Sequence, residues 1–183
     1  MEGNRAYVAG RLTYDNLVQS REKTANGQNP PVTVLSCADS RVPPELIFDR
    51  SIDQLFVIRA AGNIAGRLGI ASIEYAIANG WTKMIVVLAH GECGAVKAAL
   101  EKSDPPSPNL VALLDRIRPS LAGIERNPKD LATVRRATDA NARASAAYLL
   151  ANSKIIHDAV QSGKVALVVA YYDLSTGKVE RIH

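Results

Sequence analysis

The chain has 183 residues, 47% of them hydrophobic, with a formal net charge of +4 and a pI near 9.2. That length and apolar content suit a single folded domain, residues 1–183, with a sizeable core. Apart from Arg135-Arg136 the basic residues are scattered, which argues against a nucleic-acid surface, and no apolar run approaches about 18 residues, which argues against a membrane span.

The opening stretch Met1-Glu-Gly-Asn-Arg-Ala-Tyr7 lacks the apolar centre of a signal peptide, so a cytoplasmic location is expected. Residues 2–20 read as one helix carrying Ala6, Tyr7, Leu12, Leu17 and Val18, weakened at Gly10. A loop follows at 25–31, where Gly27, Pro30 and Pro31 break regular structure. Short β-branched apolar runs then come at 32–36, 55–59, 84–89 and 165–171, separated by helical patterns. Continuous apolar runs of this kind predict parallel strands covered on both faces. Helices are predicted over 69–78, 109–122 and 129–162, the last started by Asn127-Pro128 and stopped by Gly163. The segment 103–108, rich in proline, reads as a break. A turn at Thr176-Gly177 leads to a short last strand, 178–182. The expected fold is therefore α/β: a mostly parallel central sheet of about four strands flanked by helices, with a short antiparallel C-terminal edge strand.

Two segments carry the chemistry. Cys37-Ala-Asp39-Ser-Arg41 follows the first apolar run, and His90-Gly-Glu92-Cys93-Gly94 follows the third. Both lie where a buried strand ends and a loop begins, the place where open α/β sheets keep their ligand sites. Two thiolates and one imidazole suit Zn²⁺, and three protein ligands leave a fourth tetrahedral position free, as in catalytic zinc sites. The plain alternative is two buried apolar cysteines beside a histidine. If Cys37, Asp39 and Arg41 alternate along an extended stretch they face one cavity. Arg41 can then hold Asp39 through a bidentate pair, and Asp39 can take a proton from water on the metal or, released, become a fourth ligand. An exposed Asp–Arg surface pair is the competing reading. Glu92 and His157 are assigned no chemistry, and the alanine-rich stretch 137–151 reads as a packing face.

Cys37-Ala-Asp-Ser-Arg-Val42-Pro43 followed by His90-x-x-Cys93-Gly94 resembles the β-class carbonic anhydrase family. So do Phe56-Val-Ile-Arg-Ala-Ala-Gly-Asn63, Ile73-Glu-Tyr75-Ala76 and the closing segment Tyr171–Ile182, so that the resemblance spans about residues 2–182. It implies Zn²⁺ held by Cys37, His90 and Cys93, with Asp39 and Arg41 as the catalytic dyad that activates water. It further implies substrate contacts from Gln28, Phe56, Tyr75 and Gly94, with Gln28 reaching the site from a partner subunit. The implied reaction is reversible hydration of CO₂ to bicarbonate and a proton, in a homodimer or homotetramer with shared active sites. Ala60 and Ala61 depart from the family pattern by being small, which keeps hydrolysis of carbonyl sulfide as an alternative. A non-catalytic zinc-stabilised module and a reactive-thiol redox protein are the remaining readings.

Overall fold

The structure, a computed structural model, describes residues 2–13, 16–101 and 105–183. Five strands form one sheet: β1 (Val32–Ser36), β2 (Leu55–Arg59), β3 (Met84–His90), β4 (Ala166–Tyr172) and β5 (Val179–Arg181). Their order is β2-β1-β3-β4-β5, with β5 the one antiparallel strand. The fold class expected from the apolar runs is the fold observed.

Strand boundaries follow the apolar runs closely because β1 and β3 are buried on both faces. Leu35, Ile85, Val87 and Ala89 face one helical layer, formed by α4 (Arg67–Ala78), α7 (Leu131–Asn152) and α8 (Lys154–Gln161). Val34, Val86, Leu88, Ala170 and Tyr172 face the other side, covered by Val42, by Ile47 of the short helix α3 (Pro44–Ile47) and by Tyr7 of α1 (Glu2–Val8). A third apolar cluster sits beyond the C-terminal strand ends. There Val96 and Leu100 of α5 (Gly94–Leu100), Leu114 and Ile117 of α6 (Pro108–Ile117) and Val134 of α7 surround Cys37 and Cys93.

Helical boundaries differ more from expectation. The expected N-terminal helix is two helices, α1 and α2 (Leu17–Lys23), because Gly10 adopts φ +65 and ends the first. The link between them includes positions 14 and 15, outside the described residues, as are 103 and 104 of the proline-rich break. The expected helix 129–162 starts at the N-cap Asp130, whose carboxylate accepts from the Thr133 amide, and divides at Ser153. Ser153 leaves helical geometry (φ −143, ψ 112) and its hydroxyl caps α8 at the Ile156 amide while donating to Glu74. The third helix gives way at Arg118 to a 3-10 turn, Arg118–Leu121, that contains Pro119. Ala137, Ala142 and Ala146 of α7 pack within the molecule, as the packing-face reading expected.

Among the described residues, no helix is long and apolar enough to cross a membrane.

Candidate metal centre

From β1 the chain runs outward to β2 and then crosses back to β3 on the opposite side of β1. The C-terminal ends of β1 and β3 therefore form the switch point where such sheets open a crevice. Cys37 leaves the end of β1, His90 is the last residue of β3, and Cys93 caps α5. A left-handed Glu92 (φ 52) reverses the chain between His90 and Cys93, so both side chains meet Cys37. The donor atoms of Cys37, His90 and Cys93 all lie within 4.8 Å of one another, and the three residues are buried.

Each donor is oriented from behind. The His90 Nδ1–H donates to the Gly91 carbonyl at 2.8 Å, which leaves Nε2 with its lone pair aimed at the sulfurs. That Nε2 is buried and has no hydrogen-bond partner among the described residues, an unusual cost unless something binds there. The Cys37 sulfur accepts from the Gly62 amide at 3.2 Å and the Asp39 amide at 3.4 Å. The amides of Ala95 and Val96, at the start of α5, reach the Cys93 sulfur. The two sulfurs are 4.0 Å apart and are not bridged. Their mutual contact draws Cys37 down to about 4, against burial and with help from His90 and the two amides. The same contact, with burial, pushes Cys93 up. Both thiols can ionise together only with a cation between them. Two soft thiolates and a bare imidazole nitrogen at this spacing fit Zn²⁺.

Asp39 and Arg41 stand at the rim. Arg41 binds Asp39 in bidentate fashion, Nε to Oδ1 at 2.9 Å and the terminal nitrogen to Oδ2 at 2.7 Å. The extended alternation expected for this segment is replaced by a turn: the Asp39 carboxylate also accepts the backbone amide of Arg41 at 3.0 Å, an Asx turn. The pair forms through this local fold. Arg41 holds the Asp39 carboxyl well below the ordinary carboxylate range, outweighing partial burial. Asp39 Oδ2 lies 3.8 Å from His90 Nε2, within reach of anything the trio holds. Gly94 is exposed at the head of α5, with open space where a side chain would project.

The other sequence candidates lie elsewhere in the same chain. Gln28 is exposed in the loop before β1. Phe56 and Tyr75 gather around Trp81 with ring centroids 6.3 Å and 5.3 Å from it, and Tyr75 is 55% exposed. Glu92 turns to Lys97 at 3.0 Å, and His157 is an exposed residue of α8. Three neighbours of the trio escaped the sequence reading. Arg59, at the end of β2, donates to the Cys37 carbonyl at 3.0 Å and the Asp39 carbonyl at 2.6 Å, pinning the segment. Gly62 and Gly91 act through backbone atoms, which no side-chain pattern announces.

Fold and trio define an open-sheet α/β protein with three buried donors that could hold a soft metal ion. Residues 32–179 match the sequence profile of the family described as carbonic anhydrase. Carbonic anhydrase 2 of Mycobacterium tuberculosis is 35% identical over 181 residues, 97% of this chain and 86% of that protein. The carbonic anhydrase of Mycolicibacterium smegmatis is 32% identical over 98% of this chain and 88% of its own length. Among solved structures, the Coccomyxa β-carbonic anhydrase in complex with acetazolamide superposes with a TM-score of 0.79 at 25% identity, over 99% of this chain and 83% of that one. The chain belongs to the β-class carbonic anhydrase family.

Proposed function

We propose that this protein catalyses the reversible hydration of CO₂, converting CO₂ and water to bicarbonate and a proton, with Zn²⁺ held by Cys37, His90 and Cys93. The observation that carries the reading is the buried trio with donors within 4.8 Å and an unpartnered His90 Nε2, rimmed by an ionised Asp39. Zn²⁺ in that set would supply a Lewis acid that draws the ionisation of water towards neutral pH. The chain's own residues do the rest. Arg41 keeps Asp39 charged and aimed at the trio, so Asp39 accepts the proton as water becomes nucleophilic and passes it to solvent. While Arg41 holds the carboxylate, Asp39 is kept from acting as a fourth ligand. The apolar cluster below Cys37 and Cys93 limits water on the far side.

Family membership and the outward placement of Gln28, Phe56 and Tyr75 support a homodimer or homotetramer in which these residues line a neighbour's substrate pocket. Two unbridged cysteines suit a reducing compartment such as the cytoplasm.

One observation favours a second substrate. Ala61, Gly94, Ala95 and Ala98, together with Leu110, Leu113 and Leu114, line a groove of about 420 Å³ beside the centre, an apolar space with room for carbonyl sulfide, which the same water attack would convert to CO₂ and H₂S. The deciding experiment measures zinc content and turnover of both gases on one preparation. Stoichiometric zinc with CO₂ turnover far above that of carbonyl sulfide supports the main reading. Turnover of carbonyl sulfide alone reassigns the substrate. Bound zinc without either activity leaves a structural module, and activity that survives metal removal points to thiol chemistry.

A further inference from the structure

We propose that Asn141 is a positioning residue for the metal centre, holding Gly62 by its carbonyl so that the N–H of the same glycine stays on the Cys37 sulfur. The proposal rests on the metal reading above and adds a residue 79 positions away from the peptide it controls. Asn141 lies near the middle of α7, is 1% exposed, and donates from Nδ2 to the Gly62 carbonyl at 2.8 Å. The N–H of the same glycine donates to Cys37 Sγ at 3.2 Å.

The loop between these contacts needs an external hold. Gly62 and Asn63 are consecutive left-handed residues, φ +71 and φ +45, inside the 3-10 turn Ala61–Asn63. A left-handed Asn63 is sparsely populated and persists where surrounding structure fixes it. The turn's own bond, from the Asn63 amide to the Ala60 carbonyl at 2.9 Å, holds the nitrogen end of the peptide that carries the Gly62 carbonyl. Asn141 from below holds its oxygen end, and Ile117, whose Cδ1 would lie 2.7 Å from a Cβ on Gly62, packs against the glycine itself, so that the preceding peptide, which carries the Gly62 N–H, is set in turn.

An amide on a thiolate sulfur withdraws charge from it. The sulfur then donates less to the metal, and the metal remains the stronger Lewis acid. Removing Asn141 strands the buried Gly62 carbonyl, and the peptide turns to find another partner. The two peptides meet at the Gly62 Cα, so that turn also draws the Gly62 N–H off the sulfur. Asn141 thus tunes the centre without touching the substrate.

The test uses the cobalt-substituted protein, whose sulfur-to-metal charge-transfer band reports the charge on the thiolates, together with metal affinity by chelator competition. Asn141→Leu and the nearly isosteric Asn141→Asp should each shift that band, and should weaken metal binding about tenfold because a sulfur without its N–H is harder to keep as an oriented thiolate, which outweighs its greater donor strength. Asn4 provides the control. It is an equally buried asparagine that bonds Ile47, Gly177 and Val179 in a different part of the fold. Asn4→Ala should lower the melting temperature and leave band and affinity unchanged. A folded Asn141 variant with the wild-type band and affinity overturns the proposal. If neither variant folds, the wild-type protein loaded with NMR-active cadmium decides: coupling from the metal to the Gly62 amide proton supports the contact, and its absence overturns it. Wild-type protein that takes up no cobalt at all sinks the metal reading itself, a distinguishable result.

Discussion

Asp39 is the residue on which the proposed turnover rests. Its carboxyl is depressed chiefly by Arg41, so it is ionised above the ordinary carboxylate range near 4 and protonates only in stronger acid. By linkage, the stabilisation from its pairing is complete above that range and is lost as pH falls below it. Asp39→Asn should therefore keep zinc stoichiometric and lower CO₂ turnover about 100-fold, the scale of a lost general base. The loss should be uniform between about pH 6 and 9, because Asp39 does not titrate there. A stopped-flow rate at neutral pH equal to wild type would remove Asp39 from the mechanism. Gly91 offers a second test. A Cβ there would meet the Tyr171 hydroxyl at 2.7 Å but its ring carbon only at 3.6 Å. Gly91 also carries the carbonyl that orients His90. Gly91→Ala should weaken metal binding about tenfold, and adding Tyr171→Phe should restore most of it, read by competition with a chromophoric chelator. No recovery in the double variant would mean the hydroxyl is not the obstacle. The three donors of the proposed centre were legible in the sequence as a group because their side chains are soft-metal donors that stand at or just beyond the ends of apolar runs. Arg59, Gly62 and Asn141 were not, because each bond has a backbone atom at one end and joins residues 22 to 79 positions apart.

At the scale of elements, strands were easier to read than helices, for a physical reason. A strand buried on both faces must be largely apolar along its length, as Val32–Ser36 is; the edge strand Leu55–Arg59, only partly buried and ending at the exposed Arg59, is also bounded as the sequence implies. Serine, by contrast, is tolerated within helices, so nothing local announces that Ser153 divides α7 from α8. The division is decided by Glu74 of α4, which accepts the Ser153 hydroxyl at 2.6 Å, together with the cap at Ile156. Gly10 did carry a signal, and its left-handed geometry fulfils it. Ser153→Ala should cost about 1–2 kcal/mol through the lost cap, seen as a lower denaturation midpoint with zinc content unchanged. An unchanged midpoint would show that the apolar contacts of Leu149 and Ile156 alone fix the break.

For the whole molecule, apolar surfaces left open among the described residues are as informative as the site. Val32, Leu55, Met84, Val86 and Val168 leave a groove of about 330 Å³ on the less covered face of the sheet. Leu17 and Val18 of α2 are half exposed, and the cluster of Phe56, Tyr75 and Trp81 faces outward. A chain of 19.6 kDa with these faces should run at twice that mass or more in light scattering. Shared pockets make a stricter prediction. If Gln28, Phe56 and Tyr75 serve the neighbouring copy, Asp39→Asn and a Gln28→Ala/Tyr75→Ala variant carry lesions in different halves of each site. Each alone should be nearly inactive with zinc bound. In a mixed dimer, however, one site collects both lesions and the other neither. Co-expression in equal amounts should then recover about a quarter of wild-type turnover, since about half the dimers are mixed and half their sites intact. Sites built within one chain would give no recovery, because every site would carry one lesion whatever the pairing. Recovery therefore depends on the active site crossing the interface, and a dimer without it would leave the outward aromatics as plain packing.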